Sequence, residues 1–426
     1  MRNLSGLILA LVVSAFALPA ANVPPDTVVA KVNGKPLTAA DVQRILTGAP
    51  ANMREQLSEN PKGFVKQYAL VSFLAAKGEE AGLADKTPYK EQLTWNREQV
   101  LLQAAIADKY RQAKQSGATG ADLQTKTREW MDSIKADSTA EFVNDDYFSD
   151  DLAVAGKVPS DTVVAKVNGE PVTAGEMRRI LLGAPSKVRQ QFRSDRREFF
   201  RQLAMMRRLV AIAEKEKLLE KSPYKEQFAW VRMNILSQAA LNDYSDGISI
   251  SRQDEQDYYA SHQDKYTTAK VKVIYIPFSS GDSAGKKTDG KKVLSEEEAK
   301  AKIEAVRKEL DAGADFVELV KKYSEDETSR AKDGDFGSIR RSDKIPEHIR
   351  DAIFSLKAGE VSQPVRQPNG FYLFRADEIG VQTLDEVRQT LRPEAKGAKF
   401  DAWVRSLQKD MKVTFENEEF FSGKAQ

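Results

Sequence analysis

Residues 26–34 read DTVVAKVNG, and residues 161–169 read DTVVAKVNG again. Composition does not produce an identical run of this length, so the repeat has to be settled before any fold class is considered. Downstream positions keep one displacement of 135 residues (161 − 26). Gly48-Ala49-Pro50 returns as Gly183-Ala184-Pro185, PYKEQ at 88–92 returns at 223–227, and Trp95 matches Trp230. A second ungapped match has a displacement of 273 residues (403 − 130). It sets WMDSIKADSTAEFVNDDYF at 130–148 against WVRSLQKDMKVTFENEEFF at 403–421, pairing Phe142 with Phe415 and Asn144 with Asn417. The difference, 138 residues (273 − 135), is sequence that only the second copy holds. The chain therefore reads as one module present twice, with another domain inserted into the second copy. Insertions are tolerated where a host's chain ends lie close together at its surface.

Each copy opens alike. VVAKV is a short strand, Asn33-Gly34 and Asn168-Gly169 are tight turns, and a capped helix follows. Thr38 with Asp41 resembles a capping box, and Thr173 with Glu176 has its full form. Phe199, Leu203, Met206 and Val210 recur at helical spacing, as do Tyr224, Phe228, Val231 and Ile235, and Phe64, Tyr68 and Val71 begin the same stripe in the first copy. Segments 139–143 and 412–416 alternate like strands that close a module. Phe199, Phe200, Met205, Met206, Trp230 and Met233 have two readings: bundle core, or an adaptable apolar groove for unfolded chains.

Charge narrows the function. Acidic and basic residues nearly balance, at a formal +2, which argues against a nucleic-acid binder. The 41% hydrophobic content argues against disorder. Arg2, the apolar run 4–18 and the small residues that follow predict a signal peptide at 1–21, cleaved on export, with no stable membrane anchor. With no cysteine, neither disulfides nor lipid attachment is available, so stability has to come from cores. Zinc-ligand spacing, a phosphate loop and a nucleophile elbow are all missing from the sequence, and no metal or cofactor is expected.

In the insert, KVKVIYIPF at 270–278 reads as a strand, Ser295 with Glu298 caps a helix to about Leu310, and Asp315 opens another. DGDFG at 333–337 is turn chemistry, 345–356 a short helix, 368–370 a turn and 371–376 a last strand. The series DFVELVKKYSED, GDFGSI, IPEHIRDAIFSLKAGEVSQPV and NGFYLFRADE resembles the parvulin family of prolyl isomerases, block by block and in order. The flanking modules resemble the chaperone region of SurA- and PrsA-type foldases, although a second host copy without its own parvulin departs from that layout.

The resemblance implies an α+β multidomain protein. Its divisions are a signal peptide at 1–21, a mostly helical module at 22–156, a second, discontinuous module at 157–268 plus 380–426, and an α/β parvulin at 269–379. It further implies an exported peptidyl-prolyl cis-trans isomerase and chaperone, soluble in the periplasm or another extracytoplasmic compartment. Its partners would be unfolded polypeptides with X–Pro bonds. Phe336, Ile345 and Ile349 fall on the family's proline pocket, Asp326 on its central acidic position and Asn369 on a turn position that often carries a hydroxyl. The family's two histidine positions hold Val273 and Tyr372, and Tyr372 can still exchange a hydrogen bond. Asp326 keeps an alternative reading as a helix-end residue with local backbone bonds. His348 reads as a surface residue. The alternative function is a holdase whose parvulin domain binds peptide with little or no turnover.

Overall fold

The computed structural model describes residues 23–149, 156–279, 287–288, 291–292 and 294–422. The expected signal peptide at 1–21 lies outside them. The chain divides into two compact units, residues 1–247 with 402–426 and residues 248–401.

In the first unit, β1 (Val28–Val32) and β2 (Lys35–Thr38) form a hairpin, followed by α1 (Ala39–Gly48), α2 (Ala51–Glu59), α3 (Pro61–Glu80), α4 (Tyr89–Gln115), α5 (Gly120–Asp137) and β3 (Ala140–Phe142). The pattern restarts with β4 (Val163–Val167), β5 (Glu170–Thr173), α6 (Ala174–Gly183), α7 (Ser186–Ser194), α8 (Arg196–Lys215) and α9 (Tyr224–Gly247). Both hairpin turns take positive φ at both central residues, 51° and 79° at Asn33-Gly34 and 52° and 87° at Asn168-Gly169. Asn-Gly is the dipeptide that adopts this pair most readily. The caps differ from expectation. Thr38 and Asp41 make the reciprocal box, whereas Glu176 turns its carboxylate to Arg207 and leaves Thr173 a one-way cap. Phe199, Phe200, Leu203 and Met206 are core, and Trp230 and Met233 are half-buried.

The second unit continues with α10 (Arg252–Ser261), β6 (Thr267–Pro277), the two-residue pair β7 (Lys287–Thr288) and β8 (Lys291–Lys292), α11 (Glu296–Asp311), α12 (Phe316–Tyr323), α13 (Glu327–Arg330), β9 (Asp335–Arg340), α14 (Glu347–Phe354), β10 (Val365–Gln367), β11 (Gly370–Val381) and the first part of α15 (Leu384–Asp410). Its antiparallel sheet has the order β10-β11-β6-β9. Strand β9 corrects the reading of 333–337 as turn alone. The turn ends at Gly334, and Asp335–Arg340 pairs along β6 as an edge strand whose Gly337 and polar residues hid it from the pattern. The unit also reaches beyond 269–379, because α10 packs on α15 around Tyr266, Val387 and Leu391, with Glu255 held between Arg388 and Arg392 at 3.0 and 3.1 Å.

The chain then returns to the first unit with β12 (Val413–Phe415) and α16 (Glu418–Phe421). Here the expected self-contained modules give way to an exchange. β12 closes the first copy's hairpin, in the order β12-β1-β2, while β3 of the first copy closes the second copy's hairpin, in the order β3-β4-β5. The two closures match atom for atom: Asn33 Oδ1 accepts from Lys412 N at 2.9 Å, and Asn168 Oδ1 from Thr139 N at 3.0 Å. Helices cross in the same sense, with α4 packed on α6 and α8, and α9 on α1 and α3. Arg97 pairs with Glu214 at 2.9 Å, and Arg232 with Glu79 at 2.7 Å. Phe420 and Phe421 bury against Val29, Leu46 and Phe64, completing the first copy's core from the far end of the chain. The reason is geometric. Because VVAKV is identical in both copies, either closing strand suits either hairpin, and the 27-residue α4 carries the chain about 40 Å from its own β1.

Among the described residues no helix is long and apolar enough to cross a membrane. The ends of the sheet domain meet: Thr267 pairs with Val381, and Gln382 N donates to Tyr266 O at 3.0 Å. Joining Tyr266 directly to Gln382 through a two-residue Gly-Ser linker should therefore leave the first unit's thermal melt, followed by circular dichroism, unchanged. A molten product would mean that the sheet domain is needed to fold the rest.

Candidate active site

Strand alternation assigns the two faces of the second unit's sheet. Ile274 and Ile276 of β6, with Phe371 and Leu373 of β11, turn toward α11 and α12 and form one core with Ile303, Phe316 and Val320. Val271 and Val273, with Phe374, turn the other way and pack with Ile339, Ile353 and Val365 beside α14. A period of two fixes this choice, since a one-residue slip would reverse both faces. The sequence-predicted site residues gather on the α14 face.

Ile345 and Ile349 lie half-buried on that cluster. Phe336, on edge strand β9, is 50% exposed and sets its ring edge-on to Phe374 at 6.2 Å. Tyr372 is coplanar with Phe374, 5.9 Å apart and tilted by 7°. Its hydroxyl and the Asn369 side chain exchange hydrogen bonds, Asn369 Nδ2 donating at 2.9 Å and Tyr372 Oη donating back to Oδ1 at 3.2 Å. These residues make a half-open apolar floor with polar groups along one rim.

Asp326 enters differently. It caps α13, its Oδ2 accepting from Ser329 N at 3.1 Å, which is the local backbone bond of the alternative reading. Its charge nevertheless reaches the rim through a residue that sequence reasoning missed. Tyr275 lies opposite Tyr372 in the β6–β11 register and stacks on it at 4.6 Å. Burial first, then the neighbouring Tyr372, Glu325 and Asp326, push the Tyr275 phenol up to about 12. The Tyr275 hydroxyl donates to the Asn369 carbonyl at 2.7 Å. Its backbone holds the segment leading into Asp326: Tyr275 N donates to Ser324 Oγ at 3.1 Å, and Glu325 N to Tyr275 O at 2.8 Å. Gly370 makes room for the ring, since a Cβ there would lie 2.4 Å from Tyr275 Cε2. The available signal was alternation, which puts Tyr275 two residues beyond Val273 on the same face.

Val273 is core, 1% exposed, and pairs with Phe374, not with Tyr372. Neither histidine joins the floor. His348 meets the Gln367 side chain on the exposed side of α14, and His262 stacks on Tyr258. Among the described residues no group of three or more His, Cys, Asp or Glu could hold a metal ion. Chemically, the floor can seat a small apolar ring while phenol and amide groups face the bond beside it, a common division of labour in binding sites.

Comparison with known proteins agrees with this geometry. Residues 286–378 match the family model of the rotamase, or PPIC-type PPIase, domain, so the chain carries such a domain. It is 26% identical over 265 residues to the foldase protein PrsA of Caldanaerobacter subterraneus, covering 54% of this chain and 78% of that protein. It is 38% identical over 120 residues to the chaperone SurA of Chromobacterium violaceum, covering 27% of this chain and 28% of that protein. The match thus spans little more than a quarter of the SurA relative. Among solved structures, a SurA-like chaperone from Campylobacter jejuni aligns with 23% identity, a TM-score of 0.27 and coverage of 60% of this chain and 100% of that one.

Proposed function

We propose that this chain, a folding factor of the SurA and PrsA type with a PPIC-type parvulin domain, isomerises X–Pro bonds in unfolded polypeptides and holds those polypeptides through its helical unit. The observation that carries the reading is the floor of Phe336, Ile345 and Ile349 beneath the Tyr372–Asn369 pair. Amide resonance sets a barrier of ~18–20 kcal/mol to rotation about the bond. No covalent step is required; the site has only to bind the twisted amide better than the planar one. Phe336, Ile345 and Ile349 seat the proline ring and exclude water from one side. The Tyr372 hydroxyl and the Asn369 amide hydrogen-bond the carbonyl oxygen, which loses resonance as the bond turns. Asp326 sets the local field from the end of α13.

The helical unit is, in this reading, a chaperone module present twice, its second copy interrupted by the parvulin, with closing segments exchanged. The apolar run at 4–18 supports export to an extracytoplasmic compartment. A second reading, a holdase whose parvulin only docks peptide, is favoured by one observation: Val273 and Tyr372 occupy the positions where the resemblance expects histidines.

Magnetisation-transfer exchange on a short X–Pro peptide separates the two. The whole chain should accelerate exchange, and the chain with Tyr266 joined to Gln382 should not, while both suppress aggregation of a denatured client. No acceleration by the whole chain would overturn the isomerase reading and leave the holdase.

A further inference from the structure

Tyr275 is tied to more of the site than any residue named from the sequence. Its ring lies against Tyr372 at 4.6 Å with a 29° tilt, and its hydroxyl donates to the Asn369 carbonyl at 2.7 Å. Its backbone anchors Ser324 and Glu325, the two residues before Asp326. Asn369 is thereby gripped twice, by Tyr275 at its carbonyl and by Tyr372 at its side chain. The turn at Asn369 connects β10 to β11 and has no helix above it, so these two phenols are what restrain it.

We infer that Tyr275 is a positioning residue of the isomerase site, whose hydroxyl locks the Asn369 turn and so aims the Tyr372 hydroxyl at the bound X–Pro bond. The inference rests on the isomerase reading and deepens it. In place of an imidazole at position 273, where the side chain is buried among Ile339, Ile353 and Phe374, this strand supplies its polar group one pleat further along, at the rim. The Tyr275 phenol stays protonated across the neutral range, so it remains a donor to the Asn369 carbonyl. Seating the ring requires Gly370, because any Cβ there would also lie 2.5 Å from the Ile276 carbonyl oxygen. Tyr275 touches no bound bond itself; it acts through Asn369 and Tyr372. The same pair explains how a site without histidines keeps a fixed donor: two stacked rings and one amide share a single geometry.

The test uses the full chain and a short X–Pro peptide over a range of concentrations. Tyr275→Phe keeps the ring that fills the space beside Gly370 and removes only the hydroxyl. It should lower kcat about tenfold with KM unchanged, and leave the melting temperature within a few degrees of wild type. Tyr372→Phe should cost a comparable factor. The double variant should lose no more than the worse single, because both changes release the same donor. Wild-type kcat in Tyr275→Phe, multiplicative losses in the double variant, a rise in KM alone, or a loss accompanied by a large fall in melting temperature would each overturn the inference while the isomerase reading stood. An inactive wild-type chain would overturn both.

Discussion

Gly183→Val should destabilise the helical unit by about 3 kcal/mol, the upper end of overpacking costs, and lower its melting temperature by roughly 6–12 °C. A Cβ at Gly183 would lie 2.1 Å from the Glu91 carbonyl oxygen and 2.5 Å from its carbon, both backbone atoms at the start of the 27-residue α4. Neither can retreat without moving the helix. Gly48 repeats the situation in the other copy, 2.3 Å from the Glu226 carbonyl oxygen, so Gly48→Val should cost a similar amount. Gly247, with nothing within 4 Å, serves as the control, and Gly247→Ala should be nearly neutral. Thermal melts by calorimetry or circular dichroism check all three. The effect also bears on the exchange, because Glu91 reaches Gly183 only when α4 crosses to the second copy. An independent check uses the absence of native cysteine. Cysteines replacing Lys31 and Thr414, which are register partners, should be joined by a short thiol cross-linker. Cysteines replacing Lys31 and Glu141, which would face each other if each copy closed on itself, should not. The reverse pattern would refute the exchange.

The second large effect falls on Asp326. Asp326→Asn should reduce the isomerisation rate ten- to a hundredfold, about 1.4–2.7 kcal/mol of transition-state stabilisation, with almost no loss of stability. Asparagine is chosen for its capping: the Asp326 carboxylate accepts from Ser329 N, and Asn serves as an N-cap about as well as Asp. Asp326→Ala would remove the charge and the cap together, costing about 1 kcal/mol of local stability and confusing the two roles. Exchange on a proline peptide reads the rate, and a thermal melt reads the fold. Equal rates for Asp326→Asn and wild type would reduce the residue to its capping role, leaving Tyr275, Asn369 and Tyr372 as the polar side of the site.

Much of this architecture rests on short-range chemistry and was therefore legible in the chain itself. Asn-Gly specified both hairpin turns, Thr38, Ser295 and Asp315 specified helix starts, and alternation in KVKVIYIPF specified a strand with two buried faces. Phe336, Ile345, Ile349 and Tyr372 could be gathered beforehand because each belongs to a run with its own pattern. Strand β9 could not, since an edge strand with one neighbour needs few β-branched residues and Asp335–Arg340 holds only Ile339. Tyr275 escaped for a different reason: alternation told which face it occupies, but its partners Asn369 and Tyr372 lie nearly a hundred residues away.

The sequence by itself determined that a module occurs twice, that 138 further residues interrupt the second copy, and where turns and caps must fall. Only the tertiary structure decided which closing strand completes which hairpin. Residues 28–32 and 163–167 are the same VVAKV, so local preference is equal for both pairings and cannot choose between them. The choice was made by long-range geometry. Glycines at 48 and 183 admit a crossing helix, Arg97 and Arg232 reach the opposite copy's glutamates, and α4 is long enough to carry the chain across.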